Sequence, residues 1–211
     1  MEKNTTVSIT VIRRLPKYYR YLVELMDKGT NRISSQELSK MTGFTASQIR
    51  QDLNNFGGFG QQGYGYNVEE LYNQLRKILG LETVYNAVIA GAGNLGQAIA
   101  NFKGFEDAGF KVVALFDEDP SLIGKKIRDI EIKDSNDMSS YIKEHKIDIG
   151  IITTPKASAQ ALADEFVEAG VKGIWNFAPI DLEAPEDVVI ENVRLNESLY
   201  ILSYFLKTEH E

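Results

Sequence analysis

The sequence predicts an α/β protein in which a small helical domain precedes a domain built on a parallel sheet. Short amphipathic segments, each bounded by helix-capping residues, fill the first 80 positions. From position 86 onward, apolar strands alternate with helical segments. Directly after the first of these strands comes the glycine-rich turn Gly91-Ala92-Gly93-Asn94-Leu95-Gly96. We therefore predict a winged helix-turn-helix domain at 1–80, a Rossmann domain at 81–194 and a C-terminal helix at 195–211.

The amino-acid composition excludes several classes of site. The chain has no cysteine, so disulfides and thiolate metal sites are ruled out. Its two histidines, His145 and His210, lie far apart in polar surroundings, which argues against a metal site and a Ser-His-Asp triad. We expect no bound metal. The sequence has no signal pattern and no apolar run near the ~20 residues that span a bilayer, so we expect a cytoplasmic protein without a membrane partner.

Charge is distributed unevenly along the chain. The net charge of −7, taken alone, argues against binding to DNA. However, residues 1–80 carry 11 Lys and Arg against 7 Asp and Glu, whereas residues 81–211 carry 12 against 23. Contacts with phosphates need local positive charge rather than a basic whole molecule. Only the N-terminal domain is therefore expected to contact a nucleic-acid duplex.

Three helices are predicted at the start of the basic domain. Apolar residues follow helical spacing from Tyr18 to Met26. A Ser-x-x-Glu capping box at Ser34 begins the second helix, and a similar box formed by Thr45 and Gln48 begins the third. Two short helices joined by a tight turn are typical of a helix-turn-helix.

The third helix has an apolar face and a polar face. Ile49, Leu53 and Phe56 share the inward face. We predict that DNA is contacted by its polar residues, which are Ser47, Gln48, Arg50, Gln51 and Asn54. An arginine can bind a guanine edge with two hydrogen bonds, and Gln or Asn suits adenine. The alternative is that these residues are only the solvated face of an amphipathic helix.

Glycine alternates with aromatic residues immediately after this helix, from Phe56 to Tyr66. Glycines permit tight turns, and aromatic residues anchor a hairpin to a core. We predict a wing that contacts DNA through Gln61 and Gln62 at its tip and through Tyr64 and Tyr66. A flexible linker is the alternative, but four aromatic residues in eleven positions disfavour it.

The acidic domain has the alternating pattern of a parallel sheet with crossover helices. Strands are predicted at Ala87–Ala90, Lys111–Phe116, Ile147–Thr153 and Gly173–Trp175. Helices are predicted from the glycine turn to about Phe102, at Met138–Glu144 and at Lys156–Ala169.

The glycine turn has the context that a dinucleotide fingerprint requires. A strand precedes it, a helix follows it, and Asp117 ends the next strand 21 residues after Gly96. Gly91 permits the tight turn, Gly93 lets a pyrophosphate approach the backbone, and the helix N-terminus stabilises the diphosphate. Asp117 is placed to accept ribose hydroxyls and to repel a 2′-phosphate, which favours NAD(H) over NADP(H). Alternatively, Asp117 caps the turn that leads to Pro120.

Two further strand ends are candidates for the ligand crevice. Thr153, Thr154 and Pro155 follow one strand and are expected to contact the cofactor. The floor of the nicotinamide pocket is assigned to Asn176, Phe177, Ala178 and Pro179. Phe102, Phe105 and Phe177 are expected to make this pocket apolar. Both strand ends are equally consistent with ordinary strand-to-helix turns.

Near the strand ends, no His, Lys or Tyr stands at a position plausible for the proton transfer that a dehydrogenase needs. We therefore expect a protein that binds NAD+ and NADH without turning them over. Two rival functions remain: a small NAD-dependent oxidoreductase with a helical cap, and a regulator that responds to CoA.

The C-terminal helix, predicted at Glu197–Leu206, is apolar on almost every side. Packing against its own sheet would cover only one of these sides. The pattern favours a homodimer in which this helix is exchanged between subunits. A helix buried in its own core is the alternative.

The ordered combination of motifs resembles the Rex family of redox-sensing repressors. The resemblance rests on Ser47–Tyr66, Gly91–Gly96, Asn176–Pro179 and Glu191-Asn192-Val193, and it covers essentially the whole chain. It implies a homodimer with a winged-helix head, a Rossmann body and a swapped C-terminal helix. It also implies binding to palindromic operators with NAD+ and release by NADH.

Three positions depart from the family pattern. Gln51 stands where the family often has Lys, Phe102 where Tyr is expected, and Arg194 where Asp is expected. In some members the last two positions, together with an arginine that matches Arg20, couple ligand state to domain closure. The Tyr-to-Phe and Asp-to-Arg changes delete that hydrogen-bonding set in this chain.

Overall fold

A computed structural model describes residues 7–61 and 64–208. The chain divides into two compact units, Met1–Thr83 and Val84–Glu211. The predicted α/β class is confirmed: the first unit is mainly helical with a small sheet, and the second is built on a large sheet flanked by helices. Within the described ranges, no helix is both long and apolar enough to cross a bilayer.

Helices dominate the first unit. In chain order its elements are α1 Ile9–Ile12, α2 Leu15–Asp27, β1 Arg32–Ile33, α3 Ser35–Thr42, α4 Ala46–Asn54, β2 Gly60–Gln61, β3 Gly65–Asn67 and α5 Val68–Ile78. Strand β3 pairs antiparallel with both β1 and β2, so the hairpin that follows α4 is attached to the rest of the unit. This is the predicted winged helix-turn-helix arrangement.

Local capping fixes where α3 and α4 begin, as the sequence predicts. Ser34 Oγ accepts the Glu37 N–H at 3.1 Å, and the Glu37 carboxylate accepts the Ser34 N–H at 2.8 Å. Thr45 Oγ1 accepts the Gln48 N–H at 3.2 Å, and Gln48 Oε1 accepts the Thr45 N–H at 3.1 Å. Each box satisfies backbone donors that a helix start leaves without partners.

The second unit is a twisted α/β sheet. Its elements are β4 Tyr85–Ala90, α6 Asn94–Asn101, α7 Gly104–Asp107, β5 Phe110–Asp117, β6 Lys126–Ile127, β7 Ile130–Asp134, α8 Met138–His145, β8 Ile149–Ile152, α9 Lys156–Ala169, β9 Gly173–Asn176, β10 Val189–Asn192 and α10 Leu195–Thr208. A short 3₁₀ turn, Ser135–Asp137, precedes α8.

Strand order positions the ligand crevice. The strands lie in the order β10-β9-β8-β4-β5-β7-β6, and all neighbouring pairs are parallel except β6 with β7. From β4 the chain builds outward through β5 and β7, and then returns to the other side of β4 with β8. In open α/β sheets, ligands bind at the C-terminal ends of the strands where the order reverses in this way. That point lies between β4 and β8.

Apolar side chains pack on both faces of this sheet. One cluster is buried beneath α8 and α9 and includes Val88, Phe116, Ile152 and Phe166. Another lies beneath α6 and includes Ile89, Ile99, Leu115 and Ile151. Because both clusters are buried, the strand ends that carry the polar residues are held rigidly.

Candidate functional site

The glycine turn between β4 and α6 is sterically constrained. Gly91 adopts φ +99°, and its N–H donates to the Phe116 carbonyl at 2.8 Å. A Cβ on Gly91 would lie 2.9 Å from Thr154 Cγ2, and a Cβ on Gly96 would overlap the Gly91 carbonyl oxygen. Positive φ and close backbone packing both require glycine at these positions.

Gly93 differs from Gly91 and Gly96 because neither its backbone conformation nor its packing requires a glycine. A Cβ at Gly93 would meet no atom within 4 Å, and its φ is −70°. Gly93 is also the N-cap of α6, and no side chain caps this helix. The first-turn N–H groups at Asn94 and Leu95 therefore remain available, and such helix starts bind anions. The open space is suited to a diphosphate close to the backbone.

A cleft of about 570 Å³ opens at the predicted switch point of the sheet. It is lined by the glycine turn, by the ends of β5 and β8, and by α9, including Gly91, Gly93, Asp117, Glu118, Thr153, Thr154, Pro155, Ser158, Leu162 and Glu165. Within the described residues, this lining contains no Lys or Arg. Burial raises the pKa of Glu165. Asp117 and Glu118 give the cleft an acidic lining, and the donors that it offers to phosphates are backbone N–H groups, hydroxyls and the amide of Asn136.

Asp117 ends β5 beside the glycine turn. Its Oδ2 accepts the Ala92 N–H at 2.6 Å, and its Oδ1 accepts the Asp119 N–H at 2.9 Å. The carboxylate thus caps its own turn and also fixes Ala92. A carboxylate oxygen can accept more than one hydrogen bond, so each retains capacity for a ribose hydroxyl.

The two threonines at the end of β8 differ in their hydrogen bonding. Thr153 Oγ1 lies 2.8 Å from the Gly91 carbonyl and 3.1 Å from the Ala90 carbonyl, to which it donates. Thr154 Oγ1 is buried, and no partner for it exists among the described residues. A buried hydroxyl without a partner is costly, so this atom favours a ligand in the cleft. Together with the open helix start and Asp117, it fits a dinucleotide with free ribose hydroxyls.

Four aromatic rings form a row on the other side of the sheet. Phe102 contacts Phe105 edge-on at 4.8 Å between ring centres, Phe105 contacts Trp175 at 5.4 Å, and Trp175 contacts Phe177 at 4.6 Å. Phe102 is 59% exposed at the outer end of the row and does not line the cleft. Of the predicted apolar residues, Phe105 and Phe177 both pack on Trp175, a ring that the prediction did not include.

The loop after β9 corrects one prediction. Asn176 is completely buried, and both its amide nitrogen and its amide oxygen are hydrogen-bonded within the protein. Its Nδ2 donates to the Ile180 carbonyl and to Asn192 Oδ1, each at 2.8 Å, and its Oδ1 accepts the Ala178 N–H at 2.9 Å. The side chains of Asn176 and Ala178 therefore shape the loop and present nothing to a ligand. Only Phe177 and Pro179 of this predicted set are accessible.

Helix α4 presents the predicted polar face. Ile49 and Leu53 are buried, while the side chains predicted to contact DNA are exposed: Ser47, Gln48, Arg50, Gln51 and Asn54. Arg50 Nη1 donates to Ser35 Oγ at 2.8 Å, which holds the guanidinium at the surface between α3 and α4. Gln48 is partly committed, because its carbonyl oxygen belongs to the capping box. We use the name reading face for Ser47, Arg50, Gln51 and Asn54.

The wing corrects a second prediction. Tyr64 is 71% exposed, and the Arg32 guanidinium lies 5.9 Å from the centre of its ring. Tyr66, by contrast, is only 7% exposed because β3 is the central strand of its sheet, and burial raises its pKa. Tyr66 is therefore a core residue rather than a DNA-contacting one. Gln61 ends β2, and Gln62 lies outside the described residues.

Comparison with known proteins identifies the family. Residues 82–180 match the family described as "CoA binding domain", and residues 6–54 match "Putative DNA-binding protein N-terminus". The redox-sensing transcriptional repressor Rex of Clostridioides difficile (strain 630) is 60% identical over 204 residues, which cover 97% of both chains. This chain belongs to the Rex family. The resemblance described above is thereby confirmed.

Solved structures of the Rex-family repressor RSP match almost the whole chain. The structure of RSP with beta-NAD+ and operator DNA aligns with a TM-score of 0.92 and 60% identity, covering 98% of this chain and 95% of that one. The structure of RSP with beta-NADH aligns with a TM-score of 0.91 and 57% identity, covering 98% and 97%. Rex proteins are transcriptional repressors, so the expectation that the chain is not an enzyme is confirmed.

Sequence reasoning missed one buried network in this Rex chain. Asp52 lies on α4 but is only 2% exposed. It accepts hydrogen bonds from Arg14 Nε at 2.7 Å, Arg14 Nη2 at 2.6 Å and Tyr18 Oη at 2.6 Å. The pKa of Tyr18 is raised, mainly by burial and by its hydrogen bond to Asp52. This network ties α4 to the start of α2, and so it orients the reading face.

The C-terminal helix of this Rex chain is exposed on all sides. Side chains more than half exposed occur along its whole length: Leu195, Leu199, Tyr200, Ile201, Leu202, Tyr204, Phe205 and Leu206. The same unit has an apolar groove of about 380 Å³ across β4, β8, β9 and β10, lined by Ala87, Ile149, Ile151, Trp175 and Val189 among others. Both an apolar helix and an apolar groove of this unit are thus exposed.

Proposed function

We propose that the chain is a DNA-binding transcriptional repressor that responds to the NADH/NAD+ ratio. It binds palindromic operators with NAD+ or without ligand, and NADH releases it. The observation that carries this proposal is that one chain combines an exposed reading face with a dinucleotide cleft. Family membership and the RSP complexes with NAD+, NADH and operator DNA support it. Because a repressor acts where chromosomal DNA lies, we also propose a cytoplasmic location.

The three proposed functions, which are DNA binding, dinucleotide binding and dimerisation, belong to successive segments of the chain. Residues 1–80 contact DNA, residues 81–194 bind the dinucleotide, and residues 195–211 form the dimer. The acidic second part carries an excess of negative charge that would repel a duplex, whereas the first part is basic.

Discrimination between the two ligand states has a simple physical origin. NAD+ carries a positive charge on its nicotinamide ring, which NADH lacks. Phe177 is partly exposed and packs on Trp175, and against such an apolar surface a cationic ring loses hydration at a cost that a neutral ring does not incur. Coupling between two sites typically amounts to about 1–3 kcal/mol, which is a change of about 5- to 150-fold in operator affinity.

The direct test is fluorescence anisotropy of a labelled palindromic operator, with half-sites about one helical turn apart. Protein is titrated first in NAD+ and then in NADH. We expect NADH to release the operator, and NAD+, ATP and CoA to leave it bound. If NAD+ and NADH have equal effects on operator affinity, the sensing role is wrong.

Arg50→Ala is expected to weaken operator binding by about 5- to 150-fold, because a bidentate contact with guanine is worth about 1–3 kcal/mol. NADH binding should be unchanged, since Arg50 lies on α4 and not in the cleft. Lys77→Ala is the control, because it removes one positive charge from α5 outside the reading face. Equal losses in the two variants would mean that Arg50 contributes only net charge.

We propose that α10 is exchanged between the subunits of a homodimer. The exposed apolar helix and the apolar groove of the same unit support this arrangement, because each is an apolar surface that the other can cover. A second copy is the natural occupant, because every copy carries both surfaces.

The double variant Leu199→Glu, Leu202→Glu is expected to be monomeric, with a dimer Kd raised more than about a thousandfold. Each leucine gains about 1.5–3 kcal/mol on burial, and its replacement also buries a charge. Asn196→Glu is the matched control on the same helix and should remain dimeric. Sedimentation equilibrium measures both, and a dimeric double variant would exclude the exchange.

A CoA-responsive regulator is the second candidate, because residues 82–180 match the "CoA binding domain" family. CoA carries a phosphate on its adenosine ribose. In the proposed binding mode this phosphate would lie near the carboxylates of Asp117 and Glu118, which would repel it. Competition between CoA and NADH decides between them. We expect CoA at millimolar concentration to leave NADH bound, and its displacement by micromolar CoA would favour the second candidate.

A further inference from the structure

We propose that Arg194 is a positioning residue that joins the loop after β9 to the start of α10, and so transmits the ligand state to the dimer. This inference rests on the proposed function. The Arg194 guanidinium donates to three acceptors: the Ala178 carbonyl at 2.6 Å, the Ile180 carbonyl at 2.7 Å and Asp181 Oδ1 at 2.5 Å. Its side chain is 19% exposed. One planar guanidinium thereby binds Ala178, Ile180 and Asp181 of the loop at the same time.

A second connection joins the same two segments. Asn192, the last residue of β10, accepts a hydrogen bond from Asn176 Nδ2 at 2.8 Å, and the Val193 N–H donates to the Asn176 carbonyl at 2.8 Å. β10 also pairs with β9, so that Asn192 lies opposite Asn176. The first part of the loop, from Asn176 to Asp181, is therefore attached to residues 192–194. A displacement of this part of the loop would break these hydrogen bonds or displace residues 192–194 as well.

The connection continues into the exchanged helix. Leu195, the first residue of α10, follows Arg194 directly, and the Glu197 N–H donates to the Arg194 carbonyl at 3.2 Å. Phe177, whose ring contacts Trp175, lies in the loop that Arg194 holds. A ligand that displaces Phe177 therefore displaces the first turn of α10. Because α10 forms the dimer in the proposed function, the relative placement of the two subunits changes.

The three hydrogen bonds of Arg194 differ in strength. The Asp181 side chain is 92% exposed, and ion pairs in such surroundings contribute little. The two carbonyls belong to the loop backbone, and hydrogen bonds from a charged donor to them are among the stronger ones. Loop position is therefore set by the carbonyl contacts, which Asp181 is not needed to form.

The experiment compares operator affinity with and without saturating NADH, in the full chain and in its variants. The measured quantity is the ratio of the two operator Kd values. We expect the ratio to fall to within about twofold of unity in Arg194→Ala, to be intermediate in Arg194→Lys, and to be retained in Asp181→Asn. Saturation of the protein with NADH is monitored through the fluorescence of Trp175. This residue is the single tryptophan and lies beside the loop. A weaker affinity for NADH therefore does not affect the comparison.

Operator binding in the absence of NADH, together with thermal unfolding, shows whether each variant is folded. A folded Arg194→Ala protein with the wild-type ratio overturns the positioning role while leaving the proposed function intact. If Arg194→Ala does not fold, Arg194→Lys with the wild-type ratio overturns it equally. If NADH leaves operator affinity of the wild-type protein unchanged, the proposed function fails, and this inference fails with it.

Discussion

Gly96→Ala is expected to abolish NADH binding and to destabilise the second unit by about 3 kcal/mol, which is the upper part of the usual range for overpacking. The added methyl group would overlap the Gly91 carbonyl oxygen. That atom is part of the backbone, so no side-chain rotation relieves the overlap. The glycine turn must open, and the start of α6 then no longer faces the cleft. Urea unfolding followed by Trp175 emission reports the stability of this unit.

Gly93→Ala provides the matched control for this experiment. Its Cβ would meet no protein atom and its φ suits alanine, so stability should change by less than about 0.5 kcal/mol. NADH binding should nevertheless weaken, because the methyl group fills the space proposed for the diphosphate. If Gly93→Ala binds NADH normally, the diphosphate does not lie against this turn.

Asp52→Ala is expected to destabilise the first unit by about 3 kcal/mol, the lower end of the cost of breaking a buried ion pair. The variant leaves the Tyr18 hydroxyl and the Arg14 guanidinium without their acceptor. The lower end applies because the Arg14 side chain is 18% exposed and retains some contact with water. Operator binding should weaken as well, since α4 loses its attachment to α2.

Asp52→Asn tests whether charge or shape dominates in this network. It keeps the volume and one acceptor, so we expect a smaller loss than with alanine. Circular dichroism during urea unfolding follows the helices of both units, whereas Trp175 emission reports the second unit alone and should be unaffected. An unchanged unfolding midpoint in Asp52→Ala would mean that the network contributes nothing to stability.

Signals confined to a few consecutive residues allowed the sequence to predict much of this structure. The capping boxes at Ser34 and Thr45 form as predicted. The helix predicted at Lys156–Ala169 has those bounds, since Pro155 precedes it and Gly170 ends it with φ +101°. The glycine turn is equally local, because its strand, turn and helix follow one another directly.

Contacts between distant residues explain what the sequence could not predict. Asp52 looks like a solvated residue on a polar helix, and only its contact with Arg14, 38 positions earlier, accounts for its burial. Asn176 finds its partner Asn192 16 positions later. The sequence analysis contains no strand at β6, β7 or β10. β6 and β10 are short and depend on pairing with neighbours, whereas Ile130 and Ile132 of β7 do alternate with polar residues.

The exposed C-terminal helix has a consequence for genetics. If α10 completes the fold of another copy, every subunit depends on the supply of helices from its neighbours. A copy with an intact α10 and a defective α4 would then capture functional copies in mixed pairs, each of which recognises only half of a palindrome. Such an allele would be dominant over the wild type, whereas an allele that lacks α10 would be recessive.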